Sequence, residues 1–447
     1  MSLIIPANTL ASGGYEVANS CRFNEGSSDE LTRTFGTATS RKIFTLSFWI
    51  KRTNLSGYDS VFFGDTAGSN NADQNSFFFH ENFYLQFGGW NNPFFTSTRL
   101  FRDVSAWSHI VVAVDTTQGT ASNRIKLYVN GVQETYTSGS GFPDQNDDLG
   151  ITKSGNHSWF GNDGQSGRGN GYLAEAVLID GTAYAATDFG EFDEDSGIWK
   201  PIDVSGNTNN FTVNNLTAID QSISTPTNIF ATFNSAQPAL ANTSFSEGNL
   251  VATTNSSAST QVPFATTIPV STGKWYAEFK MIAKSTSSGS IPYIGVLGAA
   301  NFVSKLDNAY FVGGANLDGV GYGASGVVYS NSSELDSSEA SFDDGDIISV
   351  AADITNRKIY FAKNGTYINS GNPASAANGY TIPTTSESFY IFSASLFGAS
   401  GSWGANFGSP PYAISSGNTD GNGYGNFEYA VPSGYYALNT KNLSEFG

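Results

Sequence analysis

The carboxylates of residues 191–195 are the part of the sequence best suited to acid–base chemistry. This run reads Glu-Phe-Asp-Glu-Asp. On a β-strand the alternation would place three carboxylates on one face, as nucleophile, helper and general acid/base of glycoside hydrolysis. Glu194, however, stands where an apolar residue should enter the core, and Gly190 and Gly197 bracket the run as a loop. We therefore expect a solvated acidic loop and assign no catalytic residue.

Histidine and cysteine, which serve nucleophilic triads and zinc sites, are scarce. The chain has three His and one Cys, so an intrachain disulfide and a thiolate metal cage are excluded. His109 lies in a strand pattern near Trp107 and is expected to be structural, and His80 marks a hairpin tip. Cys21 is expected to be a small core residue.

Calcium needs only oxygen ligands, and two polar clusters could supply them. The candidate ligands are Asp147 and Asp148 in residues 144–148, and Asp163 in residues 162–164. The same residue types are ordinary in turns. Calcium is therefore the one cofactor that the sequence leaves open, beside the alternative that no cofactor binds.

Two glycine-rich segments place tryptophan beside amides and hydroxyls, the combination that a sugar site uses as an apolar plate with hydrogen-bonding groups. The alternative is that each tryptophan only tucks its loop onto the core. Loops of the second half of the chain add two further aromatic residues. The candidate ligand-binding residues are Trp90, Asn91, His157, Trp159, Tyr322 and Trp403.

Short alternating segments must position these side chains. Residues 44–50 and 109–115 alternate apolar with other residues, which is typical of strands. Asn130-Gly131 predicts a tight hairpin, because both residues tolerate positive φ. A strand ending in Asp, a polar turn and a second Asn-Gly hairpin recur about 235 residues later, at Asn364-Gly365. The chain is therefore predicted to be all-β, with two antiparallel jelly-roll-like β-sandwich domains in tandem.

The predicted domain boundaries follow from composition. The first sandwich covers 1–203 and includes an N-terminal attachment segment, and the second sandwich covers 247–447. Residues 204–246 are polar, poor in charge and interrupted by Pro226 and Pro238, which is typical of an extended linker. Scattered apolar residues indicate that this linker docks.

Charge and hydropathy exclude some partners. The 447 residues carry a net charge of −18, and only 13% are charged, whereas 14% are aromatic. An acidic surface repels a phosphate backbone, so nucleic acid is not expected as a partner. No stretch has the ~18 consecutive apolar residues of a membrane helix, so membrane insertion is not expected either.

The first half resembles the laminin-G/concanavalin-A-like jelly roll over positions 20–200. Residues 188–193 are similar to the version of this domain found in phage virion proteins. The other segments that carry the resemblance are 22–24, 44–52, 107–115, 127–132, 171–176 and 179–181.

The second half resembles the SPRY sandwich over positions 247–447. Residues 432–443 look like the usual ending of phage chains that carry the two domains together. The segments that carry the SPRY resemblance are 273–278, 294–296, 345–351, 359–365 and 405–408.

These resemblances imply a class of binding protein and not a particular mechanism. Laminin-G-like domains bind glycans or proteins, sometimes with calcium, and SPRY domains bind peptides or proteins through loops. We expect a non-catalytic structural and adhesive subunit on the surface of a bacteriophage virion, as a tail fibre, capsid fibre or decoration. Its expected partners are other virion proteins, further copies of itself as a homo-oligomer in the particle, and a host-surface glycan or protein.

The alternatives are a glycan-cleaving depolymerase and a purely structural decoration protein without a host ligand.

The first residues, Met-Ser-Leu-Ile-Ile-Pro, lack both parts of a secretory signal. Synthesis in the host cytoplasm, followed by release within a particle, is therefore the expected route to the virion surface.

Overall fold

The structure is a computed structural model that describes residues 14–447 except 56, 64–75, 90–91, 138–140, 162–167, 195, 205–210, 238–242, 255–260, 285–290, 299–310, 316, 386–388 and 398–399. The chain divides into two compact units, Ala11–Thr227 (the first unit) and Asn228–Gly447 (the second unit). Each is a sandwich of mainly antiparallel sheets, which confirms the predicted fold class. No helix in the described ranges is long and apolar enough to cross a membrane. The predicted N-terminal attachment segment lies outside the described residues.

The first unit packs two sheets face to face. Its strands are β1 (Ser20–Phe23), β2 (Glu30–Phe35), β3 (Ile43–Arg52), β4 (Asp59–Phe63), β5 (Ser76–Phe79), β6 (Tyr84–Gly89), β7 (Asn92–Leu100), β8 (Ser108–Asp115), β9 (Ile125–Val129), β10 (Val132–Gln133), β11 (Gly155–Trp159), β12 (Gly171–Asp180), β13 (Gly190–Phe192), β14 (Trp199–Pro201), β15 (Thr212–Asn214) and β16 (Gln221–Ser222). In the described part, one seven-stranded sheet has the order β10-β9-β8-β3-β12-β1-β16 and the other β15-β2-β11-β4-β5-β6-β7.

Strand β3 is buried on both faces, although its alternating pattern predicts burial on one. Phe48 and its like-facing neighbours enter the core between the sheets. The opposite face, with Trp49, is covered by the hairpin β13–β14, which the sequence predicted as an acidic loop. Trp199 of this hairpin donates from Nε1 to His109 Nδ1 at 2.9 Å. A tryptophan N–H can only donate, so the His109 proton lies on Nε2 and faces Ser47 Oγ at 2.9 Å.

His109 is therefore structural. Its ring stacks on Trp49 with centroids 4.8 Å apart, and burial lowers its pKa to about 3. The imidazole stays neutral at physiological pH and fastens the covering hairpin to the sheet.

The second unit repeats the sandwich. Its elements are β17 (Thr243–Ser246), β18 (Val251–Thr254), β19 (Gln261–Ala265), β20 (Lys274–Ala283), β21 (Tyr293–Gly298), β22 (Val320–Gly323), β23 (Val328–Ser330), β24 (Ser333–Asp336), β25 (Ile347–Asp353), β26 (Lys358–Lys363), β27 (Thr366–Tyr367), β28 (Tyr380–Thr381), β29 (Tyr390–Phe397), β30 (Ser402–Asn406), β31 (Tyr436–Ala437) and the C-terminal helix α1 (Thr440–Phe446). One sheet centres on β20 and β25, and the other has the order β19-β29-β21-β22-β23-β24 in the described part.

The two Asn-Gly hairpins have the predicted geometry. Asn130 and Gly131 have φ of 48° and 78°, and Asn364 and Gly365 have φ of 48° and 80°. In both hairpins the Asn side chain also accepts from the backbone at the start of the adjacent strand, at 2.8 Å from His109 N in β8 and at 2.9 Å from Ile347 N in β25. The Asn-Gly pattern that recurs in the sequence therefore forms the same kind of hairpin in both units.

The predicted linker, 204–246, contributes to both units. Strand β15 pairs with β2 and strand β16 pairs with β1 in the first unit. Strand β17 pairs with β18 in the second unit. The chain passes from one unit to the next between residues 227 and 228, so the division falls inside the predicted linker and not at its ends.

A buried carboxylate organises the outer face of the second unit's larger sheet. Glu278 of β20 is fully buried. It accepts from Glu428 N at 2.9 Å, Tyr429 N at 2.8 Å, Tyr276 Oη at 3.0 Å and Asn406 Nδ2 at 3.3 Å. Burial raises the pKa of Glu278 to about 7, although these four donors favour the ionised form. The backbone donors belong to the C-terminal segment, which this carboxylate holds against the sheet.

We predict that the two units fold independently. Fragments 11–227 and 228–447 should each give a β-type circular-dichroism spectrum and one cooperative melt, because each has its own core. A fragment ending at 203 should melt at a lower temperature than 11–227, since it lacks β15 and β16. A fragment without a cooperative transition would refute the independence of that unit.

We predict that Glu278 makes the stability of the chain depend on pH. Between the unfolded pKa near 4.5 and the folded pKa of about 7, the folded state holds a proton that the unfolded state has lost, so stability falls as pH rises through this window. Glu278→Gln should flatten that slope and lower the melting temperature, because the amide N–H₂ would meet N–H donors, at a cost of about 1–3 kcal/mol. Thermal melts from pH 4 to 8 measure both effects. The exposed Glu334→Gln is the control, and an unchanged slope in Glu278→Gln would contradict the assignment.

Candidate functional site

The two predicted ligand residues of β11 lie inside the first unit. Trp159 is completely buried and contacts the rings of Phe48 and Phe62, with centroids 5.1 and 4.6 Å apart. His157 is also buried and stacks on Phe35 at 4.2 Å. The prediction that these side chains are exposed plates is wrong, because β11 pairs with both β2 and β4 and turns them toward the core.

Tyr322 and Trp403 are core residues as well. Tyr322 lies in β22 and donates its hydroxyl to the carbonyl of Ala340, and Trp403 lies in β30 and donates to Ser395 O at 3.3 Å. Both are fully buried, so the prediction that they sit on ligand-binding loops is wrong. The glycines near them serve close packing: a Cβ on Gly321 would lie 1.9 Å from Val312 O.

Three other candidates, Trp90, Asn91 and Asp163, lie outside the described residues. Of the predicted calcium ligands, Asp147 accepts from Asp144 N at 2.8 Å and so closes its own turn. The carbonyl of Asp148 accepts from Arg41 Nη2 at 3.2 Å. In the described ranges no group of three or more His, Cys, Asp or Glu side chains is arranged to hold a metal ion.

The acidic run begins in strand β13 with Glu191, and Asp193 and Glu194 lie in the connection between β13 and β14. Asp195 lies outside the described residues. Glu191 and Asp193 both pair with Lys200 Nζ, at 3.3 and 3.2 Å. Bonds from Ser196, and then Lys200, lower the pKa of Asp193 to about 2. Both carboxylates are ion-pair partners of Lys200, and the lowered pKa of Asp193 is the opposite of the raised pKa that a general acid needs.

The first unit has a cleft of about 400 Å³, which we call the bulge cleft. It lies between the end of β2 and the second half of β12. The residues that define it are Arg33, Phe35, Glu175, Leu178, Asp180 and Phe211.

A β-bulge in β12 shapes this cleft. Ala174 pairs with Trp49 and Val177 with Ser47, so two residues of β12, one of them Glu175, lie opposite a single residue of β3. Glu175 adopts φ of 47°, a left-handed conformation that costs a non-glycine residue about 1–3 kcal/mol. Bulges of this kind often re-aim a side chain beside a functional site.

Glu175 is the polar centre of the bulge cleft. Its carboxylate is half-buried and accepts from Tyr15 Oη at 3.2 Å. Burial, and then the nearby charge of Asp203, raise the pKa of Glu175, while the Tyr15 bond opposes them. At the far end, Asp180 accepts from the backbone N–H of Ser40 at 2.8 Å and from that of Thr39.

Two phenylalanines form the apolar wall. Phe35 and Phe211 lie edge to face with centroids 6.4 Å apart, and both are partly exposed. Behind them lie the predicted residues, since His157 stacks on Phe35 and Trp159 contacts Phe211. The sequence therefore indicated the correct region of the first unit. The residues that it named, however, lie beneath the residues that line the cleft.

Sequence reasoning missed Glu175 because no local pattern marks the bulge. Residues 171–180 have the apolar character of an ordinary strand. The combination of one guanidinium, two carboxylates and two aromatic edges can hydrogen-bond hydroxyl groups and pack against an apolar ring face. A sugar presents both kinds of surface.

Comparison with known proteins agrees with this fold. Residues 25–183 match the family model described as the concanavalin A-like lectin/glucanases superfamily. This part of the first unit is thus similar to a concanavalin A-like domain. That superfamily includes lectins and glucanases by its own description, so the match leaves catalysis open. A search of curated proteins found no match.

Three solved structures are similar to parts of this chain. The SPRY domain of human HERC1 is 18% identical, with 35% of this chain and 87% of that chain covered and a TM-score of 0.27. A second human SPRY domain is 15% identical, with 37% and 94% covered and a TM-score of 0.28. The Trypanosoma rangeli sialidase is 16% identical, with 33% and 22% covered and a TM-score of 0.25.

We predict that Trp159 acts on stability. Trp159→Ala should destabilise the first unit by about 3–5 kcal/mol, because it opens a cavity among buried rings. Phe192→Ala, at a side chain that is 50% exposed, should cost well under 1 kcal/mol. Urea denaturation of both variants measures the difference, and a Trp159→Ala protein as stable as wild type would contradict the burial described above.

Proposed function

We propose that the chain is a non-catalytic binding protein that holds a glycan in the bulge cleft. The observation that carries this proposal is the convergence of Phe35 and Phe211 with Glu175, Arg33 and Asp180 around one cleft. Sugar recognition uses such a set, since the aromatic wall packs on the carbon face and the side chains of Glu175 and Arg33 hydrogen-bond the hydroxyls.

The non-catalytic part of the proposal rests on the carboxylates. Hydrolysis of a glycosidic bond uses two carboxyl groups on either side of the bond. In the cleft, Asp180 is committed to the backbone N–H groups of Ser40 and Thr39, and Glu191 is paired with Lys200 on the β13–β14 hairpin. Neither is free to act as the partner of Glu175.

One observation favours the alternative of a glycan-cleaving hydrolase. The raised pKa of Glu175 suits a general acid, and Asp203 is near enough to contribute to that shift. Such an enzyme would use these two residues, and not the run at 191–195.

The biological setting that we propose is the surface of a bacteriophage virion. Its support is the likeness of residues 188–193 and 432–443 to phage virion chains. In a particle, many copies of a weak site would act together, and avidity would exceed the affinity of one cleft by orders of magnitude. Association with other virion proteins and a host-surface glycan as ligand belong to this same proposal.

The test is glycan binding by the whole chain. We expect a glycan array to identify a neutral oligosaccharide, and calorimetric titration to show that Phe35→Leu weakens its binding roughly tenfold, or about 1.4 kcal/mol, through loss of the flat ring. The matched control, Phe192→Leu, changes an exposed aromatic residue outside the cleft and should bind as wild type. Equal binding by Phe35→Leu, or no array signal, would refute the proposal.

The same glycan separates binding from hydrolysis. Reducing ends that accumulate with wild type and disappear with Glu175→Gln would replace the proposal by the hydrolase alternative. Unchanged reducing ends over a long incubation, with binding retained, support a non-catalytic site.

A further inference from the structure

A second concave site of the first unit is lined by three arginines. It is a pocket of about 210 Å³ at one end of the sandwich, where β3 and β7 end and β8 begins. We call it the arginine pocket and define it by Arg52, Arg99, Arg102, Asp103 and Asn130. It shares no lining residue with the bulge cleft.

Arg52 is the rigid part of this pocket. Its guanidinium donates to Asp59 Oδ2 from Nε at 3.3 Å and from Nη2 at 2.8 Å, and to Phe101 O from Nη1 at 3.2 Å. It also lies 4.5 Å from the centroid of Phe79. These bonds use three of the five N–H donors of a guanidinium. The Arg52 guanidinium is therefore held in place before any ligand binds.

Arg99 and Arg102 are the accessible part. Arg99 donates from Nε to Glu134 Oε1 at 2.7 Å and keeps 45% of its side chain exposed. Arg102 is exposed and lies 4.8 Å from the ring centroid of Phe83. Guanidinium groups held by one edge or by stacking present their remaining N–H groups in a plane, which matches a carboxylate.

The surroundings of the pocket are positive within an acidic chain. Behind it, Lys51 is buried above the ring of Tyr172 at 4.8 Å, and its Nζ has no hydrogen-bond partner among the described residues. The charged groups in or against the pocket are Lys51, Arg52, Arg99, Arg102, Asp59, Asp103 and Glu134. In this set cationic side chains outnumber carboxylates by one, whereas the whole chain has a net charge of −18.

The polar groups between the arginines select the kind of anion. Asp103 lines the pocket, and its Oδ1 accepts from Ser105 N at 2.8 Å, Ser105 Oγ at 2.6 Å and Ala106 N at 3.2 Å. Its carboxylate is thus held in its own turn, and its charge would repel a ligand that is only acidic. Asn130 uses Oδ1 to accept from His109 N, which leaves its amide N–H₂ as a donor, and Ser108 adds a hydroxyl. A ligand must therefore carry both a negative group and hydroxyls.

The geometry points to a hexuronate, a single sugar unit bearing a carboxylate, as the ligand of the arginine pocket. Its carboxylate pairs with Arg102 and Arg99, and its hydroxyls bond to Asn130 and Ser108. The volume of about 210 Å³ is below the ~300 Å³ at which pockets for drug-sized molecules begin, so the pocket takes one unit. This site goes beyond the proposed function and does not depend on it.

The test uses D-glucuronate and D-glucose, which differ by the carboxylate, in calorimetric titrations of the whole chain. We expect glucuronate to bind with a millimolar Kd that rises with added salt, and glucose not to bind. Arg102→Gln, at an exposed side chain, should weaken glucuronate binding at least tenfold. The control Lys126→Gln removes a cation of the same unit outside the pocket and should bind as wild type.

The same titrations distinguish ligand binding in the arginine pocket from ligand binding in the bulge cleft. Equal binding of glucose and glucuronate, absence of saturable glucuronate binding, or an Arg102→Gln protein that binds as wild type would each overturn the arginine pocket as a hexuronate site. Loss of glucuronate binding in Phe35→Leu with retention in Arg102→Gln would place the ligand in the bulge cleft and overturn it too. Retention in Phe35→Leu supports a separate site.

Discussion

In each unit, a buried hydrogen-bond acceptor on the outer face of the main sheet takes N–H donors from the segment that covers that face. In the first unit the acceptor is His109 and the donor is Trp199. In the second unit the acceptor is Glu278, and the donors include the backbone of Glu428 and Tyr429. Unpaired, such an acceptor would cost about 1–3 kcal/mol, so sheet and covering segment stabilise one another.

This coupling determines where ligands can bind. When both faces of the central strands are covered, the open surfaces lie at strand ends and at irregularities in the sheets. The bulge cleft lies where β12 departs from regular pairing with β3 at Glu175. The arginine pocket lies at the ends of β3 and β7. Both sites are thus consequences of a sandwich whose faces are already occupied.

The arrangement also explains why the pKa values of two carboxylates shift in opposite directions. Asp193, bonded to Ser196 and Lys200 on a hairpin, has a pKa lowered to about 2. Glu278, buried beneath the C-terminal segment, has a pKa raised to about 7. Burial has the largest effect on the pKa of Glu278, whereas the hydrogen bonds from Ser196 and the ion pair with Lys200 outweigh burial at Asp193.

The sequence by itself determined the features that depend on a few adjacent residues. The all-β class follows from alternation and turn chemistry, and the hairpins at Asn130 and Asn364 follow from residues that accept positive φ. Only the tertiary structure decided which aromatic residues face a ligand. Trp159 and His157 stand in a glycine-rich segment, yet pairing of β11 on both edges buries them beneath Phe35 and Phe211. Glu175 became prominent because a bulge, fixed by pairing with a strand more than a hundred residues earlier in the chain, turned it into the cleft. Exposure depends on such distant partners, and local sequence does not contain them.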